Sequence, residues 1–268
     1  MPSIDDPAID YVDTGDGPAV VFVPGSFSTP AAWRSLQKRL PQRYRFVGTS
    51  LCGYGDTQET RSPGDLGMEH QIRVVETAAR RVGAPVHLVG HSLGGTVALA
   101  TALAGDVDVL SIATFEANPL ALVRERGQAA LFEAMRRMSS AFESAWQARE
   151  RDAAGLIIDF WGGAGSFAMM PEAVQEYCCS TAHANVLDWH TAYAFNATMA
   201  DYEALTMPTL LVRGGRANPA MVEITDALAA CLPNAHPAIV EGASHFLITT
   251  HADACAELLA GFLAEIED

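Results

Sequence analysis

The stretch that decides the fold is Val89-Gly90-His91-Ser92-Leu93-Gly94-Gly95. It places a G-x-S-x-G pattern between an apolar run typical of a strand, Val86 to Val89, and a small-residue run typical of a helix, Gly94 to Leu103. Glycines two residues either side of a serine allow a sharp turn that lifts the hydroxyl clear of the sheet. The helix N-terminus beneath it favours negative charge. The stretch therefore predicts a strand–turn–helix unit with Ser92 as a candidate nucleophile.

Apolar runs and helical patterns alternate along the chain on both sides of this unit. The other expected strands are Ile9 to Val12, Ala19 to Val23, Arg45 to Ser50, Val109 to Phe115, Thr209 to Arg213 and Ala238 to Val240. The other expected helices run from an N-cap at Thr29 through Leu40, and over Glu69 to Val82, Ala220 to Cys231 and Asp253 to Ile266. This alternation predicts an α/β fold with a doubly wound, mostly parallel sheet.

The strand signal disappears between Pro119 and Met207, where the sequence reads as helical. We therefore predict a core made of residues 1–118 and 207–268 and a helical cap inserted at 119–206. The aromatic and methionine side chains of the insertion either form a small core of their own or line an apolar substrate pocket. For a pocket, the candidate lining residues are Phe27, Trp161, Phe167 and Trp189.

The composition excludes several classes of partner. The chain has 17 Lys and Arg against 32 Asp and Glu, a net charge of -15, so phosphate backbones and anionic membranes are repelled. Residues 1–6 lack the features of a secretory signal, and no apolar stretch reaches the roughly 18 residues of a membrane span. Five scattered cysteines without metal-ligand spacing favour a reduced setting. We expect a cytoplasmic protein with a small-molecule substrate and no nucleic-acid or membrane partner, its oligomeric state left open.

The chain resembles the α/β-hydrolase superfamily, and the resemblance extends over nearly its whole length. Besides the G-H-S-L-G turn, Pro24-Gly25-Ser26 stands where the family has an H-G-x loop, and residues 52–57 are similar to its R-G-x-G-x-S stretch. The resemblance implies an esterase- or lipase-like serine hydrolase that needs no metal or cofactor. It also implies an oxyanion hole made of the backbone N–H groups of Ser26 and Leu93, with Phe27 as the alternative to Ser26.

A serine hydroxyl becomes a good nucleophile only when a neighbouring base accepts its proton. His245 follows the last expected strand in a glycine-containing loop, where the family places its general base. His251 is the second candidate, although it reads as the start of the closing helix, and His236 reads as a turn residue.

The third member of the expected triad departs from the commonest family pattern. No carboxylate follows the strand Thr209 to Arg213, since the loop there is Gly214-Gly215-Arg216-Ala217-Asn218-Pro219. Some family members carry the acid one strand earlier, where this chain has Glu116, and the order Ser92, Glu116, His245 is then kept. The alternatives are that Asn218 orients the imidazole as a neutral group, or that Glu116 only caps the entry to the insertion.

These residues favour hydrolysis of a small to medium carboxylic ester, lactone or thioester with an apolar acyl part, through a Ser-His-Glu triad and an acyl-enzyme. Cleavage of a carbon–carbon bond by the same triad is the alternative within enzymes. A ligand-binding protein of receptor type that has lost turnover is the alternative from another class, and the missing aspartate is its support.

Overall fold

The computed structural model describes residues 7–267 and has one seven-stranded sheet in the order β1-β3-β2-β4-β5-β6-β7. The strands are β1 Val12–Thr14, β2 Ala19–Val23, β3 Arg45–Gly48, β4 Val86–His91, β5 Val109–Phe115, β6 Thr209–Gly214 and β7 Ala235–Val240. Only β1 pairs antiparallel, with β3, and every other pairing is parallel. The predicted α/β fold with a doubly wound, mostly parallel sheet is confirmed.

The central strands are continuously apolar because helices cover both faces of the sheet. Successive side chains of β2 and β4 point to opposite faces, so Val21 and Leu88 belong to one core while Phe22 and Val89 belong to the other. This arrangement explains why the strand runs show no alternation of polar and apolar residues.

The helices flank the sheet or lie in the long connection between β5 and β6. They are a 3-10 turn at Pro30–Trp33, then α1 Arg34–Gln37, α2 Glu69–Val82, α3 Leu93–Ala104, α4 Ala121–Glu125, α5 Ala129–Gln147, α6 Ala154–Gly162, α7 Glu172–Ser180, α8 Ala182–Ala194, α9 Met199–Tyr202, α10 Pro219–Cys231, α11 Leu247–Thr250 and α12 Ala252–Glu267. The connection, residues 119–206, consists of helices joined by turns and loops, with no strand. None of the described helices combines the length and apolar character that crossing a membrane requires.

The helix predicted from Thr29 through Leu40 is shorter than expected. Thr29 does cap the segment, but it opens a 3-10 turn, and α1 ends at Gln37. The tight turn places the Trp33 ring 5.2 Å from Phe22 and 5.9 Å from Phe115. Packing on the sheet therefore overrides the helical pattern of the sequence.

Two strand boundaries also differ from the prediction. The first strand is Val12–Thr14 rather than Ile9 to Val12, since the Asp10 N–H donates to Thr57 Oγ1 at 3.0 Å instead of to a strand partner. The last strand begins at Ala235, so His236 is a strand residue and not a turn residue. It occupies the edge of the sheet, where the missing N–H of Pro237 is tolerated.

The carboxyl ends of the parallel strands meet at one edge of the sheet, where ligands bind in open α/β folds. The loops that follow β2, β4, β5 and β7 carry Ser26, Ser92, Glu116 and His245 respectively. The topology thus brings residues more than 200 positions apart to one place.

Candidate active site

Ser92 occupies a strained turn between β4 and α3. Its φ of 53° and ψ of -126° are unusual for a residue with a side chain, and its N–H donates to Phe115 O at 3.0 Å. A side chain at Gly90 would overlap the backbone of Gly94 and Gly95, and one at Gly94 would overlap that of Val23 and Pro24. The two glycines therefore permit the close contacts that the turn requires, as their spacing predicts.

Ser92, His245 and Glu116 form a continuous chain of hydrogen bonds. His245 Nε2 lies 3.0 Å from Ser92 Oγ, and His245 Nδ1 lies 2.7 Å from Glu116 Oε2. All three residues are buried, with exposed fractions of 8%, 4% and 1% for Ser92, His245 and Glu116. The arrangement can move a proton from the serine hydroxyl to the imidazole beside a carboxylate.

Glu116 is held by the ends of two neighbouring strands. Its backbone has a φ of 52°, its N–H donates to Val212 O at 2.8 Å, and its Oε1 accepts from the Gly214 N–H at 2.8 Å. One carboxylate oxygen is thus fixed by β6 while the other faces His245. The donor, Gly214, is the last residue of β6, and the loop that follows it has no carboxylate.

Asn218 and His251, the alternative candidates from the sequence, take no part in this chain of hydrogen bonds. Asn218 caps α10, with its Oδ1 accepting from the Ala220 N–H at 2.9 Å and its Nδ2 donating to Phe160 O at 2.8 Å. The His251 ring bonds to Thr250 Oγ1 at 2.9 Å, outside the cavity beside Ser92. The geometry therefore brings Glu116, and not Asn218, to His245.

His91 is a buried neighbour of the candidate base that the sequence did not single out. Its Nε2–H donates to the backbone oxygen of His245 at 2.8 Å, and the two ring centres are 4.8 Å apart. Burial, with a smaller contribution from His245, lowers the pKa of His91 to about 3. His91 is therefore neutral at pH 7 and holds the His245 loop through a neutral hydrogen bond.

The loop after β2 lies directly against Ser92. A Cβ placed on Gly25 would be 2.9 Å from Ser92 Cβ, so this approach needs glycine. The N–H groups of Ser26 and Leu93 make no hydrogen bond to any residue between 7 and 267, and Leu93 is the first residue of α3. Phe27, the alternative to Ser26, has a φ of 59°, and its N–H likewise makes no hydrogen bond within residues 7–267. The loop after β2 and the start of α3 thus offer unengaged backbone donors beside the serine.

A cavity of about 60 Å³ opens beside Ser92. Its walls are formed by Ser26, Phe27, His91, Ser92, Leu93, Asn118, Ile157, Ile158, Trp161, Asn185, Asp188, Trp189, Ala192, His245 and Phe246. Of the four predicted lining residues, Phe27, Trp161 and Trp189 are present and Phe167 is not. The Phe167 ring packs against Gly155, and its N–H donates to Asp159 Oδ1 at 2.8 Å, which holds it away from the cavity.

Asp188, on α8, connects the helical insertion to the core. Its Oδ2 accepts from Ser26 Oγ and from the Tyr54 hydroxyl, both at 2.6 Å, and its Oδ1 pairs with Arg61 Nη1 at 2.7 Å. The Arg61 side chain is fully buried and also pairs with Glu59 at 2.7 Å. Burial opposes its charge, but Asp188 and Glu59 together raise the pKa of Arg61 above its ordinary value.

The polar residues of the cavity wall were not predicted, because the predicted lining was drawn from the aromatic and methionine side chains of the sequence. Asn185, Asp188, Trp189 and Ala192 have the spacing i, i+3, i+4, i+7 of one helix face, a signal present in the sequence. Within residues 7–267, no three His, Cys, Asp or Glu side chains are grouped so as to hold a metal ion.

Comparison with known proteins agrees with this architecture. A family model described as the alpha/beta hydrolase family matches residues 20–258, so the chain belongs to this family. An esterase from Exiguobacterium antarcticum superimposes with a TM-score of 0.77 at 17% identity, over 99% of this chain and 97% of that one.

Two curated relatives are similar over shorter parts of their own length. Protein phosphatase methylesterase 1 of Mus musculus is 31% identical over 106 residues, 37% of this chain and 27% of that protein. A polyketide synthase of Burkholderia thailandensis is 26% identical over 266 residues, 94% of this chain and 12% of that protein. The chain thus matches about a quarter of the first and a smaller part of the second.

Proposed function

We propose that this protein is a serine hydrolase that cleaves a small carboxylic ester or thioester through an acyl-enzyme. The observation that carries the proposal is the hydrogen-bonded chain from Glu116 through His245 to Ser92, which ends at the wall of a mostly apolar cavity. The names of two similar proteins, an esterase and a methylesterase, support ester chemistry.

Each residue has a role in the proposed mechanism. Ser92 Oγ attacks the carbonyl carbon while His245 Nε2 accepts its proton, and Glu116 stabilises the imidazolium that forms. The N–H groups of Ser26 and Leu93 donate to the oxyanion. His245 then protonates the leaving group, and water activated by the same residue releases the acid. The mechanism needs no cofactor.

The cavity defines the substrate by size. Its volume of about 60 Å³ is well below the roughly 300 to 1,000 Å³ of sites for drug-sized ligands. Short acyl groups therefore fit best. In this proposal residues 119–206 act as a cap, since Trp161 and Trp189, with ring planes 1° apart, cover the site from α6 and α8.

Labelling with a fluorophosphonate tests the assignment. An activated serine facing oxyanion donors displaces fluoride from the reagent and becomes phosphonylated, so the parent protein should be labelled at one residue, Ser92. Ser92→Ala should remove both the label and the hydrolysis of nitrophenyl butyrate. Ser62→Ala, the same change in an exposed loop, is the matched control and should alter neither. Undiminished labelling or turnover in Ser92→Ala would refute the proposal.

A further inference from the structure

Asn118 presents an unused hydrogen-bond donor to the cavity. It lies two residues beyond Glu116, and its backbone N–H donates to Thr96 Oγ1 at 2.9 Å. The Thr96 hydroxyl donates in turn to Asn118 Oδ1 at 2.9 Å. Since the Thr96 hydroxyl engages Oδ1, the amide orientation is set and Nδ2 is the free end. Nδ2 makes no hydrogen bond to any part of the chain that the structure describes.

Asn185 presents the complementary feature, an unused acceptor. The Tyr54 hydroxyl donates its single proton to Asp188 Oδ2 at 2.6 Å, so toward Asn185 it can act only as an acceptor, for the amide nitrogen. Oδ1 is therefore the remaining end of the Asn185 side chain. The residue is 2% exposed, and its Oδ1 has no partner within residues 7–267. Buried polar atoms are ordinarily paired, so this atom calls for an explanation.

The two amides come from different parts of the fold, the loop after β5 and the first turn of α8, yet both residues line the cavity that Ser92 lines. The Asn118 side chain is held in place by the Thr96 hydroxyl at its Oδ1. Ligand sites are mostly apolar and recognise a polar group through a small number of placed donors and acceptors. Asn118 and Asn185 add one donor and one acceptor to such a wall.

We propose that Asn118 Nδ2 and Asn185 Oδ1 bind a second polar group of the substrate, a hydroxyl or an amide, apart from the carbonyl that is cleaved. A hydroxyl or an amide offers both the acceptor that Asn118 needs and the donor that Asn185 needs. An unsubstituted alkyl chain offers neither and leaves both side chains unpaired. The inference rests on the proposed function and narrows its substrate to short esters with a hydroxyl or amide on the acyl part.

The test is a ratio of kcat/KM values for matched nitrophenyl esters. The polar probes are the 3-hydroxybutyrate and the N-acetylglycinate, and the apolar reference is the butyrate. The parent protein should favour at least one polar ester by about tenfold or more, since a site built for a hydrogen bond discriminates strongly against an analogue without it. Asn185→Leu and Asn118→Leu should each reduce the ratio to near one.

Asn196→Leu is the matched control, because Asn196 is exposed and bonds Arg124 and Ala194 O on the surface. It should keep the parent ratio. A ratio does not depend on the folded fraction, and Asn118→Asp, which keeps the Thr96 bond while removing the donor, replaces Asn118→Leu if the latter fails to fold. A parent ratio near one for both polar esters, or a ratio unchanged in the Asn185 and Asn118 variants, overturns the inference. Turnover of the butyrate by Ser92→Ala would instead overturn the proposed function.

Discussion

At the scale of single residues, the carboxylate beside His245 depends on how two strand ends are aligned. β5 and β6 pair with Phe115 opposite Val212, so the residue after β5 lies beside the end of β6. At this position, one Glu116 carboxylate oxygen accepts from the Gly214 N–H and the other faces His245. The candidate acid thus follows β5 rather than β6, and the backbone of the last residue of β6 supports it there.

Glu116→Gln tests this role. Both carboxylate oxygens face donors, so the amide must place its NH2 group against either Gly214 N–H or His245 Nδ1–H, and the imidazole loses its negative partner. We expect kcat to fall by about 10³- to 10⁴-fold, as for the equivalent change in a serine protease. Steady-state kinetics on nitrophenyl butyrate measure the effect.

Asn218→Ala is the control for this prediction. It removes a helix cap that makes no hydrogen bond to His245, so we expect a loss of about 1 kcal/mol in the free energy of unfolding and little change in kcat. The assignment is wrong if Asn218→Ala abolishes turnover while Glu116→Gln retains it.

At the scale of elements, α8 joins the insertion to the core through one face. Asn185, Asp188, Trp189 and Ala192 all meet the cavity from this helix. Asp188 bonds Ser26 in the loop after β2 and pairs with Arg61, which also donates to Cys52 O at 3.2 Å. The same carboxylate therefore holds the helix, the candidate oxyanion loop and a buried guanidinium.

Asp188→Ala should destabilise the protein strongly. It leaves Arg61 buried with Glu59 as its one remaining carboxylate, and removing one partner of a buried pair costs about 3 to 5 kcal/mol. Urea unfolding followed by circular dichroism measures the loss. Asp253→Ala breaks the exposed pair with Arg39 and should leave the urea midpoint close to that of the parent protein. Equal midpoints for the two variants would show that the Asp188 network contributes no stability.

At the scale of the whole molecule, stability depends on keeping His91 neutral inside the fold. Burial lowers the pKa of His91 to about 3, against about 6.5 in the unfolded chain. Between these values the unfolded state binds a proton that the folded state does not. The stabilisation that depends on neutral His91 is therefore fully present above pH 6.5 and is lost as the pH falls toward 3.

Replacing His91 with Asn should flatten this dependence. In the parent protein, His91 contributes a slope of up to about 1.4 kcal/mol per pH unit between pH 6 and 4. The free energy of unfolding of His91→Asn, measured in urea at several pH values, should lack this slope. His251→Asn, the same substitution outside the cavity, is the control. Identical pH profiles for His91→Asn and the parent protein would contradict the buried neutral state.

The features that could be predicted from the sequence are those set by residues close together along the chain. The alternation of apolar runs and helices determined the α/β class, because each element's pattern depends on its own residues and on burial of both sheet faces. The G-x-S-x-G spacing determined the turn at Ser92. Glu116 and His245 were predicted from the resemblance to the α/β-hydrolase family, and both stand just past a strand, where neighbouring parallel strands end at the same edge.

Other features needed the tertiary structure, since they depend on contacts between distant residues. The choice of Glu116 over Asn218 rests on distances to His245, 129 positions from Glu116. The exclusion of Phe167 and the places of Asn185 and Asp188 in the cavity wall rest on how the helices of 119–206 pack on the rest of the protein. The neutral state of His91 rests on its burial beside the His245 loop. A sequence pattern records which face of a helix is apolar. It does not record which buried partner each polar side chain meets, because that is decided only when separate elements come together.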